Sequence, residues 1–481
     1  MRMLWWFLPL VALLGFALML IYRTYRFNPP QGYRRRSARG IHIPPMPIAH
    51  KLSELVKIPT VSHSDVSKMD EAVFIQFQQK LQTLFPRFSS RCERVIVARF
   101  GIVYRWVGRN SDAPSVLMSH YDVVAAPPDH WVHPPFSGEI TEGYVWGRGT
   151  LDTKCTLAAS LEAAESLMGQ NYVPHQDIYF CFSGDEEVAG PTAPAILSAL
   201  SKWGVTPRFV LDEGGGIVQD ALPGVRQPAA LIGTCEKGQM ELIFTANGVP
   251  GHASKPPRHT ALGCLAKAIS HTERRPWPLH YSPTVRQMLD ILGRHASLPW
   301  RIVYANLVPL KPFISLISGF KGGEFNAQLR TTCAFTMASA SDATNVLPRM
   351  AQARANVRML PGQNSKSVKR RAQRLMRGRQ IEVDTHIFSE PSPVSRTDDE
   401  VWTMLTQAVE EVWPEALAVP YMFMAATDSR HYSRISEHVY RFSALAWSKE
   451  ERALMHSYNE RISLKALVKM QAFYEALIRK L

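Results

Sequence analysis

The chain has 481 residues, 46% of them apolar and 20% charged, the proportions of a globular protein rather than a disordered one. That length exceeds what one ordinary hydrophobic core organises, so two domains are expected. The formal charge of +14 is gathered in two runs, one around an apolar amino-terminal segment (Arg2, Arg23, Arg26, Arg34, Arg35, Arg36, Arg39) and one from Lys366 to Arg379. These runs read as membrane-surface contact or as a solvated helix face, and nucleic acid is not expected as a partner.

Leu4 to Tyr22 carries no charge and comes close to the ~20 residues a helix needs to cross a bilayer. No small-residue cleavage site follows, so residues 1–27 are expected to be an uncleaved single-pass membrane anchor. The downstream arginines alone would keep the rest of the chain cytoplasmic, but the charge pattern does not fix the side. Residues 28–49, rich in Pro, Gly and Arg, read as a linker.

From about residue 50 short apolar runs alternate with longer helical ones, which predicts an α/β layer structure. Ser115 to Ser119, Ile178 to Phe182 and Phe209 to Leu211 read as buried strands. Leu157, Leu161, Ala164, Leu167 and Met168 recur at helical spacing after a loop that ends near Asp152. Polar residues follow each strand: His120 and Asp122, then Glu186 and Glu187, then Asp212 and Glu213. Ligands of open α/β sheets bind at the carboxyl ends of strands, so all of these are directed toward one edge. Residues 237–391 have a different texture, with expected strands at Met240 to Ala246 and Ala355 to Met359 and the basic helix after them. They read as an inserted α+β domain. Residues 50–236 and 392–481 would then form the two halves of the first domain. The six cysteines are scattered without a CxxC pair and read as free thiols.

Catalytic zinc takes imidazole nitrogen and carboxylate oxygen and keeps a position open for water. Two metals can share one carboxylate. A site of that kind needs two histidines, several carboxylates and a general base. HYD from His120, GRGTLD ending at Asp152, GDEE with Glu186 and Glu187, LDE with Asp212 and Glu213, and HSYNERI from His456 offer them. Each string alone is weak, since a lone HxD is more often a surface turn. The adjacent Glu186 and Glu187 make better sense beside a cation that neutralises one of them.

The ordered strings SHYDVV, HPPFSGEI, VWGRGTLDTK, SGDEEV, VLDEGG, GHASKPP, NVLP, VRMLPG, TDSRHY and HSYNERI resemble the M20 family of metallopeptidases, in particular its Gly-Xaa carboxypeptidase and PM20D1-like N-acyl amino acid hydrolase branch. The resemblance runs from about residue 50 to 463. It implies a zinc-peptidase-type mixed sheet flanked by helices, with an inserted lid that serves dimerisation. It also implies two Zn2+ ions, replaceable by Co2+ or Mn2+. His120 and Asp212 would ligate one, Glu187 and His456 the other, and Asp152 would bridge them. Glu186 would be the general base, and Asp122 would fix the His120 ring. His252 would be the lid histidine that stabilises the oxyanion, often across a dimer interface, and Asn345 the lid asparagine. Arg430 would take the substrate's free carboxylate, for which its fork is suited. Asn345 also reads as a helix N-cap, and Arg430 as a surface ion pair.

The sequence departs from the family at Ala125-Ala126, Ala425-Ala426 and Cys155, which bears on substrate choice rather than on the metal ligands. The expected activity is hydrolysis of a peptide or N-acyl amino acid with a free carboxylate. A non-catalytic scaffold or receptor on the same fold is the alternative. A two-metal phosphohydrolase is disfavoured because no Gly-rich phosphate loop is present.

Overall fold

The computed structural model describes residues 7–30 and 40–481, apart from the side chains of residues 7–9, 320, 321, 447 and 449. Leu4 to Trp6 of the expected anchor and Arg34, Arg35, Arg36 and Arg39 of the expected linker lie outside the described residues.

The centre of the fold is a mixed sheet of ten strands among the described residues. Four neighbouring strands in its middle, Gln176–Ser183, Asn110–His120, Phe209–Asp212 and Val439–Arg441, run parallel. From Ser115 onward their residues are buried almost without a break. That is the pattern of strands covered on both faces, and it explains why they read as continuous apolar runs. Registers of His120 with Ser183 and of Arg441 with Asp212 bring the carboxyl ends to one edge. On one face lies Lys154–Gly169, buried on nearly every side between the sheet, Leu464–Ile478 and Pro45–Val56.

A second, antiparallel sheet has the strand order Thr332–Ser339, Met350–Met359, Gly238–Asn247, Ile381–Ser389. Its strands alternate buried and partly exposed residues, so one face is packed and the other is not. Ala261–Glu273 and Ser365–Met376 cover the packed face around Leu242, Phe244, Ala355, Val357 and Val368. The basic run lies on Ser365–Met376, which opens with an Asn364 capping box and buries Val368, Ala372 and Met376.

Within residues 237–391 one helix packs away from the small sheet. Pro283–Arg294 buries Val285, Met288, Leu289 and Leu292 in the main core, where it packs on Leu417–Phe423. Tyr304, Ile314 and Leu329 belong to that core as well. The amphipathic helix finds its apolar partner in the first domain, not in the small sheet, which is already covered by its own two helices.

The expected transmembrane anchor is not supported, and with it falls the membrane localisation: among the described residues no helix is long and apolar enough to cross a membrane. The helix Phe7–Arg26 is present, but its last two turns are docked on protein. Asn306 Nδ2 donates to Leu20 O at 3.2 Å and to Thr24 Oγ1 at 3.3 Å, and Arg23 Nε donates to Ala305 O at 3.3 Å.

Candidate metal centre

Asp152 stands at the middle of the site. Its Oδ1 lies 2.9 Å from His120 Nε2, and its Oδ2 lies 2.9 Å from His456 Nε2. A second carboxylate approaches each histidine: Glu213 Oε1 at 3.3 Å from His120 Nε2, and Glu187 Oε1 at 3.2 Å from His456 Nε2. The donor atoms of His120, Asp152 and Glu213, and those of Asp152, Glu187 and His456, lie within 4.8 Å of one another. Asp152 is common to both groups.

Each donor is delivered by local structure. His120 is the last residue of its strand and 2% exposed. Its Nδ1 lies 3.0 Å from Asp122 O and 3.4 Å from the Asp122 carboxylate. That carboxylate also accepts from Glu186 N and Glu187 N, both at 3.1 Å, so Asp122 holds the ring and the GDEE turn together. Glu186–Val188 is one turn of 3-10 helix closed by Ala189 at φ 51°. Asp152 follows a loop with Gly147 at φ 141° and Gly149 at φ 86°. A Cβ at Gly147 would fall 2.8 Å from Pro135 O, so the loop's close approach requires glycine there.

The charges ask for a cation. Burial alone would push the His120 imidazole down, but Glu213, Asp122 and Asp152 around it hold it well above its ordinary value. Hydrogen bonds to Asp152 and Glu187 hold His456 up to about 10. Burial pushes Glu213 up to about 8, and it pushes Glu186 well above the carboxylate range, with Asp428, Glu213 and Asp122 adding to the effect. Without a cation, protons must sit between these carboxylates. A pair of divalent ions would take their place, since the donors are imidazole nitrogens and carboxylate oxygens with one carboxylate common to both groups. The residues fit the metals that the sequence resemblance implies.

Of the two acids in LDE, the structure brings Glu213 and not Asp212 to the His120 side. Asp212 is the last residue of its strand, and both its oxygens are taken by backbone amides. Oδ1 accepts from Glu213 N at 2.9 Å and Oδ2 from Ser429 N at 2.9 Å. It is 3% exposed and braces the Glu213 turn against the TDSR loop. The signal for this was in the string itself: adjacent residues at a strand end face opposite ways, so only one of the pair can reach the edge where His120 ends.

Above the centre opens a cleft of about 1500 Å³. Asp152, Glu186, Glu187, Glu213, Arg430 and His456 line it, as do Ile387, Phe388, Phe423, Met424 and Met455. The Arg430 guanidinium donates through Nη1 to Thr427 O at 3.1 Å and has no carboxylate partner among the described residues, so it is not a surface ion pair. Burial, with Arg430 and Arg434 adding to it, pushes His431 down to about 4. His252 and Asn345 do not line the cleft. They lie together on the small sheet's domain, where Gly251–His252 pairs with Val346–Leu347 and Ala253 N donates to Asn345 O at 2.9 Å. Asn345 caps no helix, because a strand follows it.

Residues 116–480 match the model of peptidase family M20/M25/M40. The chain is 32% identical to carboxypeptidase S-like 2 of Dictyostelium discoideum over 97% of its own length and 92% of that protein. It is also 32% identical to the N-fatty-acyl-amino acid synthase/hydrolase PM20D1 of Homo sapiens, over 98% of this chain and 95% of that one. Among solved structures, an M20 family metallo-carboxypeptidase from Sulfolobus solfataricus superposes with a TM-score of 0.64 at 17% identity, covering 90% of this chain and 98% of the other. Human carnosine dipeptidase 1 gives 0.59 at 14% identity over 90% and 95%. At these identities the structural likeness is one of fold, whereas the sequence matches span nearly the whole chain. The chain belongs to peptidase family M20/M25/M40 and is a metal-dependent hydrolase.

Proposed function

We propose that the protein hydrolyses the amide bond of a peptide or N-acyl amino acid that bears a free carboxylate, using two zinc ions. His120, Asp152 and Glu213 would hold one ion, and Asp152, Glu187 and His456 the other. The observation that carries this reading is the convergence of two histidines and two further carboxylates around the shared Asp152. When bound, the ions lower the pKa of a water and polarise the scissile carbonyl.

The chain's own groups supply the rest. Glu186 lines the cleft beside the centre without being engaged by either histidine. It accepts the proton of the attacking water and passes it to the leaving nitrogen. Its own backbone amide donates to Asp122, so its position is set by the same residue that orients His120. Arg430 pairs with the substrate carboxylate and sets the distance from that end to the scissile bond. The apolar side chains of Ile387, Phe388, Phe423 and Met455 line the same cleft and suit an apolar acyl group. The names of the relatives cover both substrate kinds, carboxypeptidase and N-fatty-acyl-amino acid synthase/hydrolase. The complete donor set and base argue against a non-catalytic scaffold.

Glu186→Gln tests the mechanism. The variant keeps its divalent metal and loses about 10²–10⁴-fold in turnover. Undiminished turnover would remove Glu186 as the base. A panel of glycyl dipeptides against long-chain acyl amino acids tests the substrate. Equal or faster turnover of the dipeptides would exclude the apolar acyl preference.

A further inference from the structure

The buried Glu460 is used by none of the steps above. Its carboxylate is completely shielded from solvent. Oε1 gathers three backbone amides of one loop, Gly149 N at 3.0 Å, Leu151 N at 2.7 Å and Asp152 N at 3.4 Å. Oε2 accepts from Arg148 Nη1. The clamp is closed from the other side: Arg148 Nη2 donates to Ser457 O at 3.1 Å, and Gly147 N donates to Glu460 O at 2.9 Å. The turn that includes His456 is itself tightly wound, with His456 at φ 58° and Asn459 at φ 60°. Residues about three hundred positions apart in sequence are thus tied at six points, and the tie lies directly behind the 2.9 Å approach of Asp152 Oδ2 to His456 Nε2.

We infer that Glu460 is a positioning residue for the metal centre: it locks the Asp152 loop to the His456 turn and so fixes the carboxylate that the two ions would share. This rests on the two-metal reading above. The physical argument is one of geometry. A shared carboxylate must offer its two oxygens in two directions at once. Its backbone must therefore be held more firmly than that of a ligand serving one ion. Amide-to-carboxylate bonds are charge-assisted and strong. Three of them on one oxygen define the loop's position without using any side chain of the loop. A buried Glu–Arg pair that served stability alone would have no need to collect the amide of the bridging residue itself.

The test is zinc affinity of the full chain, measured by competition with a chromophoric chelator, for the parent, Glu460→Gln and Arg148→Lys. Gln keeps an acceptor for the amides and loses the charge that draws them. Zinc affinity is expected to fall about 10–100-fold in E460Q. Arg148→Lys, which leaves the carboxylate in place but removes the fork to Ser457 O, should show a smaller fall and keeps the test open if E460Q does not fold. Lys369→Gln, on the basic helix and paired with the exposed Asp384, serves as the control that retains parental affinity. A parent that binds no zinc would end the two-metal reading itself. If the parent binds zinc and E460Q and R148K bind it as tightly, while melting at lower temperature when metal-free, Glu460 has a structural role only and the inference is overturned.

Discussion

Replacing Glu213 by Gln should have opposite effects in the metal-free and metal-loaded protein. With metal removed by chelation, burial pushes the Glu213 carboxyl from an ordinary 4.5 up to about 8. The folded state then keeps a proton that the unfolded chain releases by neutral pH. This contribution to stability is fully present below about 4.5 and is lost as pH rises through about 8. At pH 7 the loss is on the order of 3 kcal/mol. Gln cannot ionise, so the metal-free variant should be more stable than the metal-free parent at neutral pH and nearly equal to it at about pH 4–5. His456, held up to about 10 by Asp152 and Glu187, adds a slope of the same sign in both proteins. The difference between variant and parent therefore cancels the His456 slope and reports Glu213 together with the His120 it holds up. With zinc in excess the sign reverses, because the variant lacks one donor to the ion beside His120 and gains less from metal. Urea unfolding across about pH 5–8, with chelator and with zinc, reads both effects. Asp212→Asn, run in parallel, should be destabilised in either state, since Asp212 accepts Glu213 N and Ser429 N, yet keep the increment due to metal. A variant E213Q with the full metal increment, together with an Asp212→Asn that loses it, would refute the assignment of the ligand to Glu213.

Arg430→Ala should raise KM for carboxylate-bearing substrates by about 10–100-fold, the worth of a charge-assisted hydrogen bond of ~1.5–3 kcal/mol. The same variant should handle amide-capped analogues as the parent does, and an equal loss on both would remove Arg430 from the carboxylate site. Asp122→Asn keeps the backbone carbonyl beside His120 Nδ1 but weakens the hold on the Glu186 and Glu187 amides. Metal affinity and turnover are both expected to drop by about 10–100-fold, and a drop in melting temperature with neither would contradict that role.

Much of the site was legible because it is built at strand ends. Apolar runs such as Ser115–Ser119 mark parallel central strands, and the polar residue after each run is carried to the same edge whatever the rest of the chain does. His120, Asp122, Glu186 and Glu187 follow their strands in this way, and the ordered strings carry the family resemblance by themselves. The helix Lys154–Gly169 followed from its spacing alone.

Other features depend on partners far away in sequence. Whether Asp212 or Glu213 faces His120 was decided by Ser429 N, which comes from a loop more than two hundred residues later and claims the Asp212 carboxylate. Nothing in HSYNERI by itself marks Glu460; its partners are the amides of the Asp152 loop, which only the fold brings onto it. The segment Pro283–Arg294 carries an apolar face that sequence can measure, but only the tertiary structure says which core receives it. The helix Phe7–Arg26 is apolar by composition, yet Asn306 and Ala305 take its last turns. Local periodicity determines which residues form an element and which end is polar. The direction of one side chain among several, and the partner of an apolar face, are set by contacts that exist only once distant segments have packed.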